Sequence, residues 1–153
     1  MELFFIGGSK TIDALTDKMR SWIDLFMEDN EHFIIGDCRG TDLALQTYLN
    51  EKGYRNVTVY CSGESCRFNV GGWDEKHVET KLTKDDGYEF YRQKDLAMIR
   101  DCNGAFFIWD STSKGTKNNI QDLKALGLPV IAYRTDLEDV RVIRRRTPSK
   151  ESK

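Results

Sequence analysis

Residues 106–116 read FFIWDSTSKGT, an apolar run that stops at an aspartate and gives way to hydroxyls, a lysine and a glycine. Similar changes occur at GGSK (7–10), GDCRGTD (36–42) and CSGESCRFN (61–69), each placed directly after a short apolar run. Glycine lets backbone come close to a ligand, the hydroxyls of Ser9, Thr41, Ser113 and Thr116 donate hydrogen bonds, and Lys10, Arg39 and Lys114 supply positive charge. Together they suit an anion, and a phosphate above all. A helix that starts at such a loop adds unpaired N–H groups and partial positive charge, and three of the four loops are expected to feed a helix. Helix capping is the other reading of Thr41 and Thr116, and the two roles are compatible. The spacing matches neither the P-loop nor the three-glycine dinucleotide fingerprint.

Something must bring these loops together. Apolar runs at 3–6, 33–35, 57–60, 105–109 and 130–133 have the length and composition of strands buried on both faces. Between the first two, Ile12, Leu15, Met19, Trp22, Ile23 and Phe26 recur at helical spacing. Helices are also predicted over 41–52, 87–101 and 117–126, with Gly53 and Gly127 as stops. The alternation predicts an α/β fold: a doubly wound, mainly parallel five-stranded sheet with helices on both faces, all four loops on its carboxyl edge, and the ligand where the strand order reverses. One domain spans 1–140, with a polar insert at about 63–86; residues 141–153 form a basic C-terminal segment, read as partly disordered.

Composition narrows the class. The 153 residues are 39% hydrophobic, enough for one core. A net charge of −2 gives no global positive field to gather nucleic acid, so an anionic ligand must be caught locally. No apolar stretch has membrane-spanning length and the opening residues carry no leader, so a cytoplasmic protein without a membrane partner is expected. The four cysteines are expected to be reduced thiols. No metal site is expected either, because four residues separate Cys61 from Cys66 and His32 and His77 stand alone.

The segments GGSK, IIGDCRGTDLALQTYL, RQKDLAMIRDCNGAFFIWDSTSKGT and GLPVIAY, in that order over residues 3–133, resemble the SLOG superfamily. This Rossmann-like group includes DprA-type and Lonely Guy proteins, and the chain is most similar to small bacterial and phage-associated members. The resemblance implies a pocket for nucleotides or their derivatives at the carboxyl edge, with Gly8, Ser9, Gly36, Gly40, Ser113, Gly115 and Thr116 as phosphate or sugar contacts. Lonely Guy enzymes release a base from a nucleoside monophosphate with a glutamate three residues beyond a Gly-Thr pair and an upstream arginine. Here Asn119 holds the glutamate position, and Lys94, followed by Asp95, stands near the arginine. An amide is not a general base, so that chemistry does not carry over.

The expected ligand contacts are therefore Gly7, Gly8, Ser9 and Lys10; Gly36, Asp37, Arg39, Gly40 and Thr41; Ser62, Arg67, Asn69 and Trp73; and Lys94, Ser113, Lys114, Gly115, Thr116 and Asn119. Trp73 and Phe68 have two readings, base stacking or local core anchor. Asp110 and Asp95 are the candidate catalytic acids, with Asp37 and Asp42 also near the edge. Against that, Asp95 can pair with Lys94 or Arg92, and Asp110 can cap its own turn. Binding of a nucleotide-like small molecule, for sensing or sequestration, is the expected function. Hydrolysis of an N-glycosidic bond in nucleotides, a phosphoribohydrolase-like activity, is the alternative. A third reading, single-stranded nucleic-acid binding through Arg141, Arg144, Arg145 and Arg146, sits poorly with an acidic chain. Homo-oligomers are an expectation drawn from related domains, and no cofactor is expected.

Overall fold

The computed structural model describes residues 1–143. In chain order they form β1 (Phe4–Gly8), α1 (Asp17–Glu28), β2 (Phe33–Ile35), α2 (Thr41–Glu51), β3 (Val57–Ser62), β4 (Asp74–Val78), α3 (Tyr88–Asp101), β5 (Gly104–Trp109), α4 (Lys114–Ala125), β6 (Val130–Arg134) and β7 (Asp139–Ile143). The fold is α/β. Its mostly parallel sheet has seven strands in the order β4-β3-β2-β1-β5-β6-β7, and β7 alone runs antiparallel.

The five apolar runs are strands β1, β2, β3, β5 and β6, but the sheet has seven strands rather than five. The two others are edge strands, DEKHV and DVRVI, whose side chains are mostly exposed. A polar strand at an edge protects the sheet from unwanted pairing, and for that reason it carries no hydrophobic signal. β7 takes residues 141–143 into the sheet, so the boundary expected at 140 is too early. Arg144, Arg145, Arg146 and the expected tail lie outside the described residues.

Successive strand side chains point to opposite faces. Ile6 packs with Met19 and Ile23 of α1 and Leu45 of α2, whereas its neighbour Phe5 packs with Met98 of α3 and Leu123 of α4. Each such fully buried side chain stabilises the fold by about 1.5–3 kcal/mol. Among the described residues no helix is long and apolar enough to cross a membrane.

Two helix starts depart from expectation. α1 begins only at Asp17, where Thr16 accepts the Met19 amide at 3.3 Å, so GGSK turns into a loop rather than a helix. α4 begins at Lys114, three residues early, because Lys114, Gly115 and Thr116 are themselves its first turn. The cysteine expectation is also corrected: Cys61 and Cys66 form a disulfide, while Cys38 and Cys102 are free. The loop after β3 folds back until the two Cα atoms are 5.1 Å apart, within the reach of a disulfide.

Candidate functional site

β1 and β5 are neighbours, yet the chain leaves β1 toward β2 and leaves β5 toward β6. The loops at their carboxyl ends therefore diverge, and a cleft of about 730 Å³ opens at that reversal. Its floor is apolar, formed by Phe5, Met98 and Phe107. Two glycines let the loops interlock. A Cβ on Gly8 would lie 2.1 Å from the Ile108 carbonyl oxygen, and one on Gly40, at φ +80°, would lie 2.4 Å from that of Lys10. No side chain fits at either place.

One wall belongs to β2, α2 and α3. Lys94 is only 3% exposed, and its ammonium lies 3.0 Å from Asp95 and 3.4 Å from the Tyr91 carbonyl. Burial opposes its charge, but the carboxylates of Asp95 and Asp42 outweigh burial and raise its pKa. Asp42, 8% exposed, accepts the Cys38 amide at 3.1 Å. Burial pushes its carboxyl up to about 7, with Lys94 pulling the other way. Gly36 leaves room for both, since a Cβ there would lie 2.7 Å from the Asp42 carboxylate and 3.2 Å from the Lys94 stem.

Asp95 also accepts from Asn119 at 3.3 Å, and Arg92 bonds Asn119 and Asp122, tying α3 to α4. Asn119 thus supports a carboxylate instead of replacing one. A second wall is Arg67, which reaches Asp37 at 2.9 Å and stacks 4.1 Å from the Tyr91 ring centre.

The α4 end of the cleft is different in kind. Ser113 is the N-cap, but its side chain makes no capping bond. The amides of Lys114, Gly115 and Thr116 have no acceptor among the described residues. Exposed Lys10, Arg39 and Lys114 stand around the cleft, and none of them makes an ion pair among the described residues.

Of the expected contacts, Gly7, Gly8, Ser9, Lys10, Gly36, Arg39, Arg67 and Lys94 line the cleft, as do Ser113, Lys114, Gly115, Thr116 and Asn119. Of the two expected acids, Asp95 does so and Asp110 does not. Asp110 accepts from Thr11 at 2.6 Å, from the Thr112 amide at 2.9 Å, and from the Ser113 amide and hydroxyl at 2.7 and 2.8 Å. Partial burial works against its charge, but those bonds prevail and hold the carboxyl well below the usual range. Asp110 organises its own loop and lies outside the cleft lining, so it is not placed to act there as a catalytic acid.

The remaining expected contacts support the walls. Asp37 anchors Arg67, and Ser62 accepts the Lys94 amide at 3.0 Å. Thr41 donates to the Ser9 carbonyl at 2.7 Å, while Gly40 borders a separate groove beside α2. Neither Thr41 nor Thr116 is an N-cap. Asn69 clasps the Trp73 backbone, and Trp73, 4% exposed, sits in the core and donates to the Tyr54 carbonyl at 2.9 Å. Stacking on a base is therefore excluded for Trp73, whereas Phe68 does line the cleft.

Tyr88 and Tyr91 are lining residues that no loop signal marked, and Cys38 lies in a marked loop without having been read as a contact. The run GYEFYR at the start of α3 held the available clue, a glycine followed by aromatics. No family model matches the chain, and neither curated proteins nor solved structures gave a match to it.

Proposed function

We propose that this cleft binds a nucleotide or nucleotide-derived small molecule, so that the protein senses or sequesters it in the cytoplasm. On this reading the fold is a doubly wound, Rossmann-like domain of the SLOG type. The observation that carries the proposal is the open N-terminus of α4, where the amides of Lys114, Gly115 and Thr116 and the nearby cations Lys10, Arg39 and Lys114 have no partner among the described residues. Such a terminus favours a phosphate, which accepts several hydrogen bonds at once. Tyr88, Tyr91 and Phe68 offer aromatic surface to a base, and the apolar floor accepts its face.

A thermal-shift screen across nucleotides, cyclic nucleotides and ADP-ribose derivatives tests the reading. A ligand held only by the folded chain raises the melting temperature in a concentration-dependent way. Lys114→Ala should weaken the best hit about tenfold or more, as loss of a charge-assisted bond does. The absence of any shift at millimolar ligand would refute binding.

A second reading rests on Asp42, a cleft-wall carboxyl that titrates at about 7 beside the Lys94 ammonium. A group that gains and loses a proton near neutrality is suited to general acid–base work. Hydrolysis of an N-glycosidic bond would then rest on Asp42, with Asp95 holding Lys94 in place. Release of free base from nucleoside monophosphates should vanish in Asp42→Asn and survive in Asp110→Asn. Activity that tracks Asp110 instead would overturn this assignment.

A further inference from the structure

Outside the cleft, at the far edge of the sheet, four side chains of metal-binding type converge. The ligand atoms of Cys61, Cys66, Glu75 and His77 all lie within 4.8 Å of one another. β3 and β4 bring this about: Cys61 is in register with His77 and Val59 with Glu75, so two-residue periodicity puts Cys61, Glu75 and His77 on one face. The loop after β3 then returns Cys66 to them. Glu75 and His77 are bonded to each other at 2.8 Å, and Asn69 donates to the second Glu75 oxygen at 2.9 Å.

We infer that, once its disulfide is reduced, this cluster is a zinc-type divalent metal site with a Cys61, Cys66, Glu75 and His77 ligand set. Zinc ligands stand about 2.0–2.3 Å from the ion and therefore roughly 3–4 Å from each other, a spacing that the present cluster reaches by small side-chain movements. Two sulfurs, one nitrogen and one carboxylate suit a borderline-soft ion. Buried Cys61 supplies the inner ligand, while half-exposed His77 and Glu75 leave a path in from solvent. Asn69 orients the Glu75 carboxylate from outside, the usual role of an outer partner.

The disulfide and the metal are alternative states of the same sulfurs. A dithiol reductant gives two electrons and two protons to the Cys61–Cys66 bond and is itself oxidised to a disulfide. The S–S bond breaks into two thiols, and metal binding releases both thiol protons to water as the thiolates ligate. Cys66 directly precedes Arg67 and Phe68 of the cleft wall, so the state of this pair bears on that wall.

The test uses the full chain, reduced with excess phosphine, which becomes phosphine oxide and adds no competing thiolate. Titration with cobalt(II) alone should show one ion per chain, a thiolate-to-cobalt charge-transfer band, tetrahedral visible bands, and displacement by zinc. Without reduction the bands should be absent. Cys66→Ser, which leaves Cys61 as the one thiolate of the set, should weaken cobalt binding and lower the charge-transfer absorbance per bound ion. His77→Ala, at an exposed edge position, should weaken binding by more than the roughly 10- to 100-fold typical of losing an outer partner. Three results would each overturn the inference: no charge-transfer band in the reduced wild type, equal cobalt binding by the oxidised chain, or unchanged affinity in His77→Ala. None of these readouts involves the cleft ligand, so its failure and this one are separable.

Discussion

Asp110 and Asp42 both stand beside the carboxyl edge, yet their surroundings push them in opposite directions. Asp110 directly follows β5, inside a loop rich in hydroxyls and free amides, and Thr11, Thr112 and Ser113 saturate it. Asp42 is in the first turn of α2, buried, and accepts only the Cys38 amide among the described residues. The first carboxylate is held charged and used up by its own loop; the second is held near neutrality and facing the cleft. A polar residue surrounded by donors in sequence is more readily consumed by local structure than one that a fold buries with few partners.

The most severe challenge to this contrast is Lys94→Met. Removing a buried cation leaves Asp95 with only Arg92, at 4.0 Å, and Asn119 as partners among the described residues, and chemical denaturation should show a loss of up to about 3–5 kcal/mol. A loss below 1 kcal/mol would mean that Asp42 and Asp95 do not depend on Lys94 as their counter-charge. Asp42→Asn is next. The folded carboxyl has a pKa raised from 3.8 to about 7, so the folded chain holds its proton more tightly than the unfolded chain. The stability this confers is whole below pH 3.8 and drains away as pH rises to about 7. Denaturation at several pH values should therefore show wild type losing ground to Asp42→Asn across that window, by at most about 4 kcal/mol.

Asp110→Ala should cost less, about 1 kcal/mol at neutral pH, as loss of a capping side chain does. Its sign is opposite: the depressed pKa stabilises above the ordinary carboxylate range, and the deficit should shrink in acid. Lys10→Ala is the mildest. An exposed cation without an ion pair should change stability by less than about 0.5 kcal/mol while weakening nucleotide binding, which thermal melts with and without ligand would separate.

Much of the frame was legible because buried parallel strands are uninterrupted apolar runs, as in FIIG and FFIW. The glycine-bearing loops were legible for a related reason: a backbone that must pass close to another, as Gly8 passes Ile108, admits no other residue. β4 stayed hidden because every residue from Asp74 to His77 is exposed. Trp73 was ambiguous because an aromatic in a polar insert reads the same whether it anchors the core or faces a ligand, and only its burial separates the two. The Cys61–His77 cluster escaped a spacing argument since its members meet across paired strands and not along the chain.

The charged outer strand β4 also limits how copies of this molecule can meet. Laying another strand along it would strip water from Asp74, Glu75, Lys76 and His77 together, a desolvation that backbone pairing alone does not offset. On that side the sheet is closed to extension, and two copies brought together there would have to meet through side chains rather than by a shared ladder.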